Sequence, residues 1–381
     1  MEKEKQKDKL FIDNIREITS GQEQKSYMII PNVKETNYLI KQFNNYNDLA
    51  LWTYRATEIN HNDIIFSYTK QQQIVKIEKD NISLTIKYPN VNTFIGKNDN
   101  VSKVFVFLLA KINEQAIGKN ADGELTIINE YITFNIEELI NLGIYTGKTK
   151  NGALTNAKKG LYTCYKKLAK LEITMCGNMR VDKKSKKESL QSHSFLFSKF
   201  LRKGSQVSIT LQKDGFFSYL SYEYFTIIPK WAFKLDNKAF ALLQLIFERA
   251  RIETKTITDE NRKKGSFSFN ISMQHIQNSL NIPSADKTKH HKREIKEPIL
   301  KAIEDIENEY KNEIRIDESG NYEKNIDLEI LLKPKRNEQA EYSETIQEFL
   351  KQYIEITLKG QFAEYFINLS KTSKEKQKLL N

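Results

Sequence analysis

Residues Phe134–Leu171 read FNIEELINLGIYTGKTKNGALTNAKKGLYTCYKKLAKL, and this stretch decides the fold. Asn135 stands where a helix N-cap belongs, and Ile136 to Leu142 predicts a short helix ended by Gly143. After a turn, Leu154, Ala157, Leu161, Cys164, Leu168 and Leu171 recur at spacings of three and four. That is the apolar stripe of a helix over about Gly152–Leu171. Its opposite face carries Thr155, Asn156, Lys158, Lys159, Tyr162, Lys166 and Lys167. Upstream, Val101–Gln115 predicts an apolar helix with Ser102 as its cap, followed by a short strand around Ile127–Phe134. Downstream, strands are expected over Glu172–Val181, Ser194–Phe200 and Gln206–Leu211, with the basic loop Lys183–Lys187 joining them. Helix, strand, helix, turn, basic amphipathic helix, β-hairpin is the order of a winged helix-turn-helix. In that unit the third helix enters the major groove and the hairpin, or wing, lies along the backbone.

The order then repeats. Asp236 or Asn237 caps a helix over Lys238–Ile252 with the stripe Phe240, Leu243, Ile246 or Phe247, and Ala250. A strand is expected at Ser266–Phe269, and Asn270 is expected to cap a helix over Ile271–Leu280. A long helix follows from about Asp286 to Tyr310, with Ile295, Ile299, Ile303, Ile306 and Tyr310 on one face. Ile314–Ile316, the turn at Glu318–Asn321 and Ile326–Leu332 are read as a second wing. Phe134-Asn135-Ile136 recurs as Phe269-Asn270-Ile271, and Leu142-Gly143-Ile144 recurs as Leu280-Asn281-Ile282. Offsets of 135 and 138 imply one duplicated module, with the second helix a few residues longer in the second copy.

A chain of 381 residues is too long for one core. The expected division is a charged tail (1–26), a small strand-rich N-terminal region (27–100), a first winged-helix domain (101–228), a second (229–335) and a helical C-terminal tail (336–381). The class is α+β: two tandem winged helix-turn-helix domains between those flanking regions. The strand-rich assignment comes from alternating runs at Ile64–Tyr68 and Ile82–Tyr88. The helical tail comes from Ile346, Phe349, Leu350, Tyr353 and Ile354, and from Phe362, Tyr365, Phe366 and Leu369, each read as one helical face. Two cysteines exclude a disulfide framework, and Cys164 and Cys176 have no partner pair for zinc. The start lacks a signal-peptide run, and the longest apolar run, Val104–Ala110, is far too short to span a bilayer. A soluble cytoplasmic protein without a membrane partner is expected.

The formal charge of +11 is concentrated. Between Tyr145 and Lys203 fifteen basic residues face only Glu172, Asp182 and Glu188, so the remainder is close to neutral. A localised basic field is the footprint of a polyanion partner, although a solvated basic face with no partner stays open. Candidate DNA-binding residues in the first module are Lys148, Lys150, Thr155, Asn156, Lys158, Lys159, Tyr162 and Lys166, with the wing lysines Lys183, Lys184, Lys186 and Lys187. In the second they are Lys287, Lys289, His290, His291, Lys292, Arg293 and Lys296, at the start of the long helix, where the N-terminal dipole also favours phosphate. Amides pair with adenine edges, and lysines read guanine or hold phosphates.

Chemistry finds no support in local motifs. Gly143-Ile-Tyr-Thr-Gly147-Lys148-Thr149 has three residues between its glycines where a phosphate loop needs four, and it follows a helix. The five histidines, His61, His193, His275, His290 and His291, form neither a His-x-His nor a His-x-x-x-His pair. No catalytic residue, metal or cofactor is expected.

The paired modules, with Tyr224–Phe233 (YFTIIPKWAF) leading into Ala239–Ile246 (AFALLQLI), resemble the iteron-binding plasmid replication initiator (Rep) family over about Val101–Leu332. The resemblance implies binding of double-stranded origin repeats by both modules, opening of an adjacent AT-rich stretch and recruitment of host replication proteins. It also implies a homodimer that represses its own gene, and no nucleotide hydrolysis. A winged-helix transcriptional repressor and a DNA-nicking relaxase-type enzyme are the competing readings.

Overall fold

In a computed structural model, the described residues are 27–31, 64–69, 72–79, 82–89, 100–121, 125–169, 171–179, 188–212, 215–220, 225–253, 257, 259–280, 282–312, 314–316, 322–324, 328–333, 345–360 and 362–367. The chain divides into two units, Met28–Ile227 and Ile228 onward. No helix among the described residues is long and apolar enough to cross a membrane. The chain mixes helices with several small sheets.

The first unit contains β1 (Tyr27–Pro31), β2 (Ile64–Thr69), β3 (Gln72–Lys79), β4 (Ile82–Pro89), α1 (Val101–Gln115), β5 (Ile117–Lys119) and β6 (Leu125–Ile127). It continues with β7 (Tyr131–Asn135), α2 (Ile136–Asn141), α3 (Lys150–Leu168), β8 (Glu172–Met179), β9 (Glu188–Ser194), β10 (Phe197–Lys203), β11 (Gln206–Leu211) and β12 (Phe225–Pro229). Val104–Ala110 of α1 is wholly buried, so this helix is the axis of the core rather than a surface element. Each of its large side chains contributes about 1.5–3 kcal/mol through burial. Phe107 meets Phe134 of β7 edge-on at 5.0 Å. Ser102 does not cap α1: it lies buried inside the helix, while Asn100 precedes it and donates its side-chain N–H to the Ile144 carbonyl at 2.6 Å.

Two sheets matter to the site. β7, β11 and β10 form an antiparallel sheet in the order β10-β11-β7, with Phe200 opposite Ile209 and Ile209 opposite Ile132. β8 and β9 join the N-terminal strands in a five-stranded antiparallel sheet ordered β2-β3-β4-β8-β9. This corrects the wing. The pair β8–β9 extends the sheet of β2–β4, and a later hairpin, β10–β11, completes the sheet beneath α2 and α3. Strand pairing is decided by long-range partners: β8 takes β4, with Ile173 opposite Ile86.

The second unit opens with a 3-10 turn (Lys230–Lys234), then α4 (Asn237–Glu253), α5 (Asp259–Lys264), β13 (Ser266–Ser272) and α6 (Met273–Ser279). A π-helical turn (Lys292–Lys296) runs into α7 (Glu297–Asn312). Then come β14 (Ile314–Ile316), β15 (Tyr322–Lys324), β16 (Leu328–Lys333), α8 (Ile346–Lys351) and β17 (Tyr353–Lys359), and residues 362–367 are helical. Asp236 caps α4 by accepting from Ala239 N at 2.8 Å. Trp231 packs on Tyr310, whose hydroxyl accepts from Leu328 N at 2.8 Å and ties α7 to β16.

Three expectations fail here. Asn270 does not cap a helix, because β13 alternates through it (Phe267, Phe269 and Ile271 inward), and Ser272 caps α6 instead by accepting from His275 N. The long helix begins near His291, not Asp286. A 3-10 turn at Ala285–Lys287 and an extended Thr288 precede it. The segment after 335 is not a helical tail. β17 is the central strand of the sheet β13-β17-β16, with Ile354, Ile356 and Leu358 wholly buried. β16–β17 therefore replaces Ile314–Leu332 as the counterpart of β10–β11, and β14–β15 is a separate hairpin. Phe362 and Phe366 pack on Phe247 at 5.3 and 6.1 Å.

With these corrections the two units share the series helix, strand, short helix, long helix, hairpin, two strands, interrupted by β5–β6 in the first unit and by α5 and α8 in the second. In each, the strand before the short helix pairs with the last strand of its sheet. The turn bonds repeat at a constant offset: Leu142 N to Glu138 O and Ile144 N to Leu139 O, then Leu280 N to Ile276 O and Ile282 N to Gln277 O. The short helices are six and seven residues long, so the second copy is barely longer.

Candidate nucleic-acid interface

α2 is fixed by a capping box: Asn135 accepts from Glu137 N, and Glu138 accepts from Asn135 N at 2.9 Å. Gly143 leaves the helix at φ 78°, a conformation glycine adopts without strain. The turn then buries Tyr145, whose hydroxyl lies 3.4 Å from Cys164 Sγ. Gly160 makes room for it, since a Cβ there would come 2.2 Å from the Tyr145 ring. Burial pushes the Cys164 thiol up to about 11, so it stays protonated and acts as core filler. Thr149 caps α3 by accepting from Gly152 N at 3.1 Å.

This scaffold holds one face of α3 outward. Lys148, Lys150, Thr155, Asn156, Lys159, Tyr162 and Lys166 are exposed, and Lys158 is half-buried. Lys167 turns inward between Cys164 and Leu168, and burial lowers its pKa. Two side chains are less available than their letters imply. The Asn156 amide donates to the Thr146 carbonyl at 2.9 Å, and the Thr155 hydroxyl donates to Asn151 O. Tyr162 is 44% exposed yet oriented: its ring lies 5.7 Å from that of Phe200 on β10, and Lys166 Nζ sits 4.4 Å over it. Tyr165 backs the same contact, 4.8 Å from Phe200.

The hairpin tip adds basic residues that sequence reasoning passed over. Lys199, Arg202 and Lys203 are exposed, and Gly204 makes the turn at φ 65°. Arg202 shares the sheet face of Phe200 and so lies on the side of α3, whereas Lys199 and Lys203 point to the other face. The signal was present in Arg202-Lys203-Gly204, a basic pair before a turn glycine. The expected wing lysines Lys183, Lys184, Lys186 and Lys187 lie outside the described residues.

In the second unit the cluster surrounds a helix start. Thr288 Oγ1 accepts from His290 N at 3.0 Å and donates to the Glu294 carboxylate. That bond, with Arg293 beside it at 3.2 Å, holds Glu294 below the usual carboxylate range. Lys289, His290, Lys292 and Arg293 are exposed, and Lys287 is half-buried. His291 places Nε2 2.9 Å from the Ala285 carbonyl, and Lys296 lies over the Phe349 ring at 5.6 Å. Lys287 and Lys289 thus stand in the loop before the helix. The first unit offers a continuous basic face, and the second a smaller basic corner partly offset by Glu294.

No family model matches the sequence, and no curated protein matches it. Among solved structures, the chain is similar to a crystal structure of domains 2 and 3 of RctB, with a TM-score of 0.40 and 9% identity over 80% of this chain and 97% of that one. A second structure, of selenomethionine derivatives of the same two domains, gives a TM-score of 0.37 and 8% identity over 76% of this chain and 91% of that one.

Proposed function

We propose that the chain is a sequence-specific, double-stranded DNA-binding replication initiator of the plasmid type, acting through a winged-helix module in each unit. The observation that carries this reading is the basic face of α3, set on a module whose element order recurs in the second unit. α3 would lie in the major groove, with Lys159, Tyr162 and Lys166 toward base edges and Lys148, Lys150 and Arg202 toward phosphates. Lys289, His290, Lys292 and Arg293 would do the same in the second module. Bound to origin repeats, the protein opens an adjacent AT-rich stretch and recruits host replication proteins, and a homodimer represses its own gene. It acts by binding, without a catalytic residue, metal or cofactor.

Footprinting on DNA flanking its own gene, with a salt titration, tests this. Several evenly spaced direct repeats should be protected, and log K should fall with log salt at a slope of about −6 if about seven phosphates are neutralised. Lys159→Ala and Arg293→Ala should each weaken binding, and the pair more than either. A flat salt response, or undiminished affinity in the double variant, refutes the reading. One inverted repeat over a promoter would assign a repressor instead. A covalent Tyr–DNA adduct formed on supercoiled plasmid with Mg²⁺ would assign a nicking enzyme.

A further inference from the structure

The sheet β10-β11-β7 has a second face, turned away from α3. The register sets Leu201 beside Ser208, and Lys199 in one row with Thr210 and Tyr131, all on the side opposite Phe200. Leu201 on the edge strand is 53% exposed, and Tyr131, two strands away on β7, is 56% exposed, with Ser208, Thr210 and Thr133 on the same face. Lys199 and Lys203 flank Leu201 on this face, and residues 189–213 contain no acidic side chain. β10 is also the edge of its sheet, so one row of its backbone N–H and C=O groups has no strand partner among the described residues.

We propose that β10 and this outer face form a docking site for a partner protein, which supplies an extended acidic segment. The segment adds a strand to β10, sets an apolar side chain opposite Leu201, and sets carboxylates opposite Lys199 and Lys203, all on one face of the new strand. Charge selects this occupant: a second copy pairing through β10 would oppose Lys199, Arg202 and Lys203 with their own like charges. A basic edge also deters self-association, and that accounts for the lysines but not for Leu201 standing open between them. The site does not depend on the DNA reading, because α3 lies on the other side of the sheet.

The test uses the full chain and a fluorescein-labelled eight-residue peptide, Thr-Glu-Thr-Val-Thr-Glu-Thr-Thr, which puts Glu, Val and Glu on one face of a strand, followed by anisotropy and amide hydrogen exchange. Saturable binding should slow exchange within Phe197–Lys203. Leu201→Asp, the milder Leu201→Ser and Lys199→Glu/Lys203→Glu should each weaken it at least tenfold, with the circular dichroism spectrum unchanged. Lys159→Ala should leave peptide binding intact, so that loss of DNA binding and loss of peptide binding separate. The same peptide with Lys in place of both Glu residues should not bind. No saturable binding, binding indifferent to both Leu201 variants, or displacement of the peptide by a double-stranded oligonucleotide overturns the proposal. So does self-association of Lys199→Ala/Lys203→Ala when the natural chain binds no peptide, which would mark the lysines as edge guards only.

Discussion

Replacing Gly160 by Ala puts the geometry of the α2–α3 turn to a quantitative test. On helix propensity alone the change stabilises α3 by about 1 kcal/mol. The structure reverses the sign. The new Cβ would lie 2.2 Å from Tyr145 Cε1 and 2.7 Å from Cζ, where ordinary contact is 3.4–4 Å. The ring cannot swing aside, because it is buried and its hydroxyl is lodged against Cys164. Overpacking of this kind costs about 1–3 kcal/mol, which leaves a net loss of up to about 2 kcal/mol after the propensity gain. Urea unfolding of Gly160→Ala, Tyr145→Leu and the double variant measures it. The smaller side chain at 145 should relieve the clash, so the double variant should be more stable than the two single effects added together. A Gly160→Ala protein more stable than the natural chain would show that Tyr145 is not seated there, and the presentation of the α3 face would need another explanation.

Other perturbations separate packing from charge. Phe200→Ala removes the ring that orients Tyr162 and Tyr165, so DNA affinity should fall severalfold while the salt slope stays unchanged; a lost slope would mean that Phe200 acts by holding lysines instead. Asp305 has a raised pKa because burial disfavours its charge and Asp236 repels it. An acid raised in the fold is destabilising when ionised, so Asp305→Asn should melt higher than the natural chain at pH 7, with the gap closing as pH falls through the folded value toward 3.8. An equal gap at pH 3 and pH 7 would refute the electrostatic cause. Truncation before Thr345 removes β17 and should abolish cooperative unfolding of the second unit, which a dispensable tail would not do.

What was legible in the sequence is what local physics decides. The cap at Asn135, the exit at Gly143 and the stripe Ala157, Leu161, Cys164 and Leu168 are set by neighbours three or four residues apart, and all lie where the pattern puts them. Strand partners are not local. β8 reads as a strand just as β10 does, and only its pairing with β4, some ninety residues earlier, takes it away from the α2–α3 sheet. Charge density then drew the wing to 183–187, whereas the hairpin that completes the sheet against α3 is β10–β11, with Arg202 and Lys203 at its tip.

The remaining errors are failures to follow a change of period. Phe267, Phe269 and Ile271 alternate with Ser268, Asn270 and Ser272, and reading that alternation to its end moves the cap from Asn270 to Ser272. Ile346, Phe349 and Leu350 fit a helix, but from Tyr353 the apolar residues fall on every second position, at Ile354, Ile356 and Leu358. Gln352, extended at ψ 171°, is where one period gives way to the other. A helix continued through it would turn Leu358 away from the face of Ile346, Phe349 and Leu350, whereas alternation keeps Ile354, Ile356 and Leu358 on one buried face. The likeness of the two units is therefore better recorded by turn bonds and strand order than by letters. Side chains at caps and hairpins are free to drift, whereas the bonds from Leu142 and Leu280 back into the preceding turn are demanded by the same chain reversal in both units.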